Sequence, residues 1–198
     1  ILSSILVLMR WEKIKKAIVE LLKAIGENPS KQELNKTPER IASMFEEILS
    51  GRDKNPKDIL QITHDLKHDE MVLVKNVPFY SMCEHHLLPF FGKCHVAYIP
   101  EGNKIVGVSK LVDVIDMMSK RLQVQERLTS GLANTIMENL KPRGIGVVIE
   151  ARHLCMEIMH RQPETIVMTS AVRGSFRKDI RTREEFLKLI KWNSANTI

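Results

Sequence analysis

The apolar residues of this chain recur at two different periods, and the change between the periods near residue 70 limits the folds that the chain can adopt. Before that point the period is helical. Ile14, Ile18 and Leu21 form one stripe, and a second stripe follows Thr37 and Pro38, which are typical of a helix N-terminus. The sequence therefore predicts an N-terminal region built from helices alone.

Residue types that cap helices mark further helix ends. Ser30 and Glu33 have the spacing of a capping box, which predicts a short helix after the first long one. Gly51 has the position of a glycine that ends the second helix in the left-handed conformation. Near the C-terminus, Thr182 and Glu185 predict a second capping box and a last helix.

After residue 70 the apolar residues alternate with polar ones or form short unbroken runs, as they do in β-strands. Helical periodicity returns in two segments between the strands. The strands are predicted at 70–80, 91–100, 145–158 and 164–176, and the helices at 109–121 and 125–140. The turn signal at residues 101–104 predicts a hairpin between the second strand and residues 105–109.

This order of elements predicts an α+β domain, with an antiparallel sheet and helices packed on one face. We expect an N-terminal helical region at 9–66 and the sheet-containing domain at 67–198. Residues 1–8 are interpreted as an extension upstream of a natural start at Met9. Since the other face of the sheet needs a partner, we also expect a homo-oligomer.

The charge composition narrows the class of partner. The net charge is +6, which suits a nucleic acid, a membrane surface or a small polyanion such as a nucleotide. No block of lysine and arginine has the length of a nucleic-acid tail, and aromatic residues are only 5%, too few for a base-stacking platform. The apolar start of the chain is too short to span a bilayer. We therefore expect neither nucleic acid nor membrane as a partner.

The three cysteines, Cys83, Cys94 and Cys155, are too few for a disulfide framework in 198 residues. A reducing, cytoplasmic location is expected. Cys94 lies in a strand pattern and is interpreted as a core residue. Cys83 and His86 lie three positions apart, which brings both side chains together only if the chain bends there. By itself this pair is a weak metal signal.

A second pair of metal-ligand residue types ends the strand predicted at 145–158. His153 and Cys155 share one face by alternation, and they are either core residues or ligands. Cys83, His86 and Cys155 together would make a Cys₂His zinc site with an open fourth position, the count typical of catalytic zinc. His85 and His153 would then lie near the metal as candidate general acid and base.

Three long blocks resemble GTP cyclohydrolase I: "FYSMCEHHLLPFFGKCHVAYIP", "VGVSKLVDVIDMMSKRLQVQERLT" and "VVIEARHLCM". The resemblance runs from about Thr37 through Phe186. It implies a tunnelling fold preceded by an N-terminal helical arm, assembled through its sheets into a toroidal homodecamer. It also implies a Zn²⁺ cofactor and the conversion of GTP to 7,8-dihydroneopterin triphosphate and formate.

The resemblance assigns roles residue by residue. It implies that Cys83, His86 and Cys155 bind the zinc, and that His85 and His153 are catalytic. The substrate-binding residues that it implies are Gln125 and Glu126 for guanine, Ser109 and Lys110 near the ribose and triphosphate, and Arg40 for the triphosphate from a neighbouring subunit. A carboxylate such as that of Glu126 accepts from the N1–H and the exocyclic amine of guanine together.

Two positions depart from the family pattern. The family has an arginine four residues after the second zinc cysteine, where this chain has Met159, and another three residues after the lysine of the "SK" pair, where this chain has Asp113. Arginine binds phosphate through two parallel hydrogen bonds, and neither replacement does so. The sequence therefore leaves two alternatives to a GTP cyclohydrolase I: a relative with another phosphate preference, and a non-catalytic guanine- or pterin-binding homologue.

Overall fold

The computed structural model describes residues 2–60, 64–65, 68–102, 104–161 and 163–192. The chain divides into two compact units, Ile1–Ser50 and Gly51–Ile198. None of the described helices is both long and apolar enough to cross a membrane.

The N-terminal unit contains α1 (Leu2–Ala24), which packs against α2 (Thr37–Ile48). Both helices were predicted, but their caps were not. Lys36 rather than Thr37 is the N-cap of α2, and it makes no side-chain hydrogen bond there. The helix ends at Ile48 with Leu49 as its C-cap, and Gly51 is not in the left-handed conformation. The short helix predicted from Ser30 and Glu33 is wrong, because residues 29–36 form turns.

The C-terminal unit is built on a five-stranded sheet in the order β5-β2-β3-β6-β7. Its pairs are antiparallel except for β5 with β2, which are parallel. The bounds are β2 (Val72–Cys83), β3 (Pro89–Ile99), β5 (Leu122–Gln123), β6 (Gly144–His153) and β7 (Ile166–Gly174). The sheet is therefore mixed, not wholly antiparallel as predicted.

The hairpin predicted around residues 101–104 is wrong. Strand β3 pairs with β2 along one edge and with β6 along the other, so neither edge is free for residues 105–109. A separate two-stranded sheet forms instead, in which β4 (Lys104–Ile105) pairs with β1 (His64–Asp65).

The main core lies between one face of the sheet and the helices α3 (Val108–Ser119) and α4 (Gln125–Leu140). Val96 and Val147 point into this core, whereas their neighbours Ala97 and Val148 belong to a smaller cluster on the opposite face, because side chains alternate along a strand. The helices α6 (Ser175–Lys178) and α7 (Ile180–Lys191) cover that cluster through Phe176 and Phe186. The prediction of helices on one face is therefore correct only for the main core.

Strand β6 ends earlier than predicted. It stops at His153 and continues directly into α5 (Leu154–His160), so residues 154–158 are helical rather than extended. The start of α7 also differs: Asp179 is the N-cap, and its carboxylate accepts from the Arg181 N–H and the Thr182 hydroxyl. The capping box predicted from Thr182 and Glu185 is wrong, because Thr182 donates to that cap.

Candidate functional site

A tight turn at the end of β2 brings the first two candidate ligands together. Cys83 is the last residue of the strand, its N–H donates to the Leu88 carbonyl (2.9 Å), and its own carbonyl accepts from the Leu87 N–H (2.9 Å). Leu87 takes a left-handed conformation with φ of 52°, which closes the turn. The Cys83 Sγ and His86 Nδ1 atoms are consequently 3.8 Å apart. The bend that the Cys-x-x-His spacing required is thus present.

The third candidate ligand arrives from α5. Strand β3 follows the turn and pairs with β6 so that Phe90 is opposite His153, which places the end of β6 beside the turn. Cys155 lies in the first turn of the helix that follows, and its Sγ is 4.0 Å from the Cys83 Sγ. Cys155 approaches the other two residues from a helix, and not from the strand face on which the sequence predicted it.

The ligand atoms of Cys83, His86 and Cys155 all lie within 4.8 Å of one another, a group that could hold a metal ion. Two sulfurs bound to one tetrahedral zinc at about 2.3 Å are about 3.8 Å apart, close to the separations seen here. Both cysteines are buried, whereas His86 is exposed. The donor set therefore fits zinc, and three protein ligands leave one of its four tetrahedral positions to another ligand.

Burial raises the pKa of the Cys155 thiol, and the proximity of Cys83 raises it further. A bound cation reverses this preference, because metal coordination favours the thiolate. Cys94 differs from both: it is fully buried in the main core, and burial alone raises the pKa of its thiol. Its interpretation as a core residue is confirmed.

His153 is held on two sides. Its ring stacks on Phe90, with centroids 4.7 Å apart and planes within 3° of parallel. Its Nε2 is 2.7 Å from the Oε1 of Gln125. Burial lowers the pKa of His153, and the nearby Glu126 carboxylate opposes this shift. The structure therefore favours a neutral imidazole with a fixed ring plane, one residue before the helix that carries Cys155.

His85 has a different environment. It is exposed in the turn between Cys83 and His86, and its Nε2 is 3.9 Å from the Glu84 carboxylate. The His85 and His86 rings meet edge to face, with centroids 6.2 Å apart and planes 85° from parallel. The two adjacent histidines therefore point in different directions, so only one belongs to the candidate metal cluster.

Sequence reasoning missed an arginine that fixes the turn. Arg127 on α4 bonds to both oxygens of the Glu84 carboxylate, to the Gln123 side chain (3.1 Å) and to the Leu122 carbonyl (3.3 Å). The Glu84 N–H also donates to the Gln123 carbonyl (3.1 Å). This clamp, Arg127 with Glu84 and Gln123, ties the turn to β5 and α4. The four-residue spacing of Gln123 and Arg127 was a possible signal, but Glu84 is too distant in sequence for any local pattern.

The remaining predicted site residues differ in exposure. Gln125 is buried at the start of α4, and Glu126 beside it is exposed. In the first turn of α3, Ser109 is exposed and the Lys110 ammonium lies 3.3 Å from the Asp113 carboxylate. Arg40 is an exposed residue of α2, in the N-terminal unit.

The position where the family arginine is missing also has a defined conformation. Met159 is an exposed residue in the last turn of α5, and Arg161 caps that helix in the left-handed conformation, with φ of 51°. The region therefore presents an apolar side chain where the resemblance implies a phosphate ligand.

Taken together, the site combines three residues that could hold a metal ion, two further imidazoles and an exposed carboxylate. These groups suit hydrolytic attack on an electrophilic carbon of a substrate that offers hydrogen-bond donors to Glu126.

Comparisons of the sequence with a family model and with individual known proteins point to the same family. The family model described as GTP cyclohydrolase I matches residues 14–191. A "GTP cyclohydrolase 1" from Clostridioides difficile (strain 630) is 52% identical over 181 residues, covering 90% of this chain and 95% of that protein. Proteins with the same name from Caldanaerobacter subterraneus subsp. tengcongensis (52% identity, 90% and 96% covered) and Bacillus subtilis (strain 168) (48% identity, 91% and 95% covered) are also similar.

Proposed function

Because the chain belongs to the GTP cyclohydrolase I family and is a hydrolase of that type, we propose that it opens the imidazole ring of GTP, releases C8 as formate and forms 7,8-dihydroneopterin triphosphate. The observation that carries this proposal is the convergence of Cys83, His86 and Cys155 beside His153. Two hydrolytic steps remove C8, and the ribose carbons then rearrange and close the dihydropterin ring.

In this proposal Cys83, His86 and Cys155 hold one zinc ion. When bound, zinc supplies Lewis-acid activation of a water molecule, lowering its pKa to about 7. Both cysteines are buried, which keeps two of the three ligands away from solvent. His86 is exposed, so we propose that the substrate approaches the zinc from the side of His86.

The two imidazoles then move protons. His153 is held beside the cluster by Phe90 and Gln125 and is suited to exchange a proton with the ring nitrogen that is released as the imidazole opens. His85 is exposed next to the ligand turn, where it serves the second proton transfer. Because two imidazoles share the proton transfers, one can act as an acid while the other acts as a base.

Guanine recognition is assigned to Glu126. Its carboxylate is exposed and close enough to His153 to influence the pKa of that ring. A carboxylate there can accept from both the N1–H and the exocyclic amine of guanine. The resemblance also assigns Gln125 to guanine, and that assignment stays a prediction. In the structure the Gln125 side chain is bonded to His153.

For the ribose and triphosphate we assign Ser109, Lys110 and Arg40, the last from a neighbouring subunit of a homodecamer with the tunnelling fold. Two observations favour a second candidate function, a relative that prefers fewer phosphates. Lys110 is already paired with Asp113 (3.3 Å), and Met159 offers no charge. Both features reduce the positive charge available to a triphosphate.

A substrate panel tests the proposal and separates the two candidates. The zinc-loaded protein is incubated with GTP, GDP, GMP and guanosine, and products are identified by mass spectrometry. The proposal expects dihydroneopterin triphosphate from GTP, with the highest kcat/KM of the four. A higher kcat/KM for GDP or GMP would establish the second candidate instead. Asp113→Arg is the matched variant, and it should raise kcat/KM most for GTP.

A further inference from the structure

The buried side-chain amide of Gln125 has an orientation that the hydrogen-bond chemistry fixes. Gln125 is 1% exposed, and its Nε2 lies 3.1 Å from the Ile149 carbonyl, 2.9 Å from the Val167 carbonyl and 3.0 Å from the Thr169 hydroxyl. Carbonyl oxygens only accept hydrogen bonds. The NH₂ end of the amide must therefore face Ile149 and Val167, because a flipped amide would set one acceptor against two others.

Two hydroxyls, those of Thr129 and Thr169, lie next to the Gln125 amide. Thr129 Oγ1 donates to the Gln125 backbone carbonyl at 2.7 Å, and it lies 2.6 Å from Thr169 Oγ1. In the contact between Thr129 and Thr169 either hydroxyl can be the donor, so Thr169 is able to donate or to accept. The orientation of the Gln125 amide is therefore fixed by the Ile149 and Val167 carbonyls, which only accept.

This arrangement determines where His153 carries its proton. With the NH₂ end turned toward the sheet, the acceptor Oε1 faces His153 Nε2 at 2.7 Å. A carbonyl oxygen needs a donor at that distance, so Nε2 is protonated. Among the described residues, Nδ1 of His153 has no hydrogen-bond partner. A rotation of the ring about its Cβ–Cγ bond would put a carbon in place of Nε2 opposite Gln125, and the parallel stack on Phe90 favours the ring plane that keeps this hydrogen bond.

We propose that Gln125 is a positioning residue that fixes neutral His153 as the Nε2–H tautomer and makes Nδ1 the atom that exchanges a proton with the substrate. The tautomer follows from hydrogen-bond geometry alone, whereas the role of Nδ1 rests on the proposed function. The proposal also removes the Gln125 side chain from guanine recognition, so that Glu126 discriminates the base.

Nitrogen NMR of the zinc-loaded protein tests the tautomer directly. The protein is labelled with ¹⁵N-histidine and measured as a sediment by magic-angle spinning at about pH 8.5, two units above the ordinary histidine pKa. The spectrum of His153→Asn identifies the signals of His153 among the seven histidines. The expected result is a hydrogen-bearing Nε2 and a bare Nδ1. A proton on Nδ1 would overturn the proposal.

Three variants distinguish positioning from substrate binding. Gln125→Leu should give His153 a mixture of tautomers and lower kcat about 10- to 100-fold with little change in KM. Gln125→Glu, protonated in its buried position, can donate to one carbonyl and accept from His153, so it should restore the tautomer and part of kcat. Ser119→Ala removes another buried hydrogen-bonding side chain, which lies in α3 and donates to the Ile115 carbonyl, and it serves as the matched control, with the tautomer of His153 and kcat unchanged.

The outcomes separate this inference from the proposed function. A Gln125→Leu protein with a raised KM and an unchanged kcat would show that the side chain binds guanine, which overturns the inference. Zinc content and thermal stability are measured to verify that each variant is folded. Thr169→Val is a milder change, because it removes one contact of the Gln125 NH₂ group and keeps the bond between Gln125 and His153. If GTP is not converted at all, the NMR result still decides the tautomer, and only the proposed function fails.

Discussion

The Sγ atoms of Cys83 and Cys155 lie 4.0 Å apart although the two residues are 72 positions apart in the sequence. Two features bring them together: the turn that ends β2, and the pairing of β3 with β6, which carries the start of α5 to that turn. The candidate metal cluster therefore depends on long-range strand register. A shift of one residue between β3 and β6 would move Cys155 away from the turn.

Replacement of single candidate ligands should separate zinc binding from proton transfer. We expect Cys155→Ala to lose both zinc and turnover, because Cys155 supplies one of three ligand atoms. His153→Ala should keep its zinc and lose turnover. Cys94→Ala is the control for a buried thiol outside the cluster and should keep zinc. Zinc per protomer, measured by mass spectrometry of the metal, checks all three, and equal zinc loss in the first two would refute the division of roles.

The clamp formed by Arg127, Glu84 and Gln123 should strengthen zinc binding by holding the turn. We expect Arg127→Ala to weaken zinc affinity about 10-fold, as is common when a group behind a metal ligand is lost. Arg127→Lys should give an intermediate value, because a lysine cannot reproduce the forked contact with a carboxylate.

Competition against a chromophoric chelator measures this affinity. Arg181→Ala is the matched control, since the Arg181 side chain is 90% exposed on α7. An Arg127→Ala protein with the affinity of the Arg181→Ala control would mean that the turn holds its shape without the clamp.

The Cys-x-x-His spacing predicted the bend at Cys83, because two ligands three positions apart meet only in a turn. Other features depended on contacts that no local pattern contains. Residues 154–158 were predicted to continue the strand, yet β6 passes directly into α5. The link between Glu84 and Arg127 spans 43 positions, and the bond between Gln125 and His153 spans 28. A sequence read locally cannot give either contact.

The stacking of Phe90 on His153 should matter for catalysis beyond its contribution to the core. Phe90→Leu and Phe79→Leu should each reduce the free energy of unfolding by about 1–3 kcal/mol, since both rings are buried and contact each other edge to face. Only Phe90→Leu removes the parallel contact with His153. We therefore expect a lower kcat for Phe90→Leu than for Phe79→Leu at 25 °C, and equal kcat values would speak against a role for the stack.

Stability should decrease in mild acid because of His95. Burial lowers the pKa of His95, although the Glu150 carboxylate opposes this, and Lys93 and Lys75 reinforce it. The His95 Nδ1 accepts from the Asn76 N–H (3.3 Å), a bond that protonation of that atom would break. Since the folded pKa lies below the unfolded value of 6.5, the unfolded state takes up the proton first. Stability is then lost as the pH falls through about 6.5 toward the folded pKa.

Denaturant unfolding at a series of pH values checks this expectation. His95→Gln should flatten the loss of stability between about pH 6.5 and pH 5 relative to the parent protein. His153, whose pKa burial also lowers, is present in both proteins, so its contribution cancels in the difference. Parallel pH profiles for the two proteins would assign the acid sensitivity to other groups.

Opening of the imidazole ring of GTP beside His153 is proposed to require a zinc ion, which Cys83, His86 and Cys155 would hold. Formate released per GTP consumed tests it most directly, measured for the zinc-loaded protein, for the same protein after removal of zinc by a chelator, and after zinc is returned. We predict one formate per GTP for the loaded protein, none for the zinc-free protein, and recovery when zinc is restored. Formate release that persists in zinc-free protein, or its absence from fully loaded protein, would contradict the account.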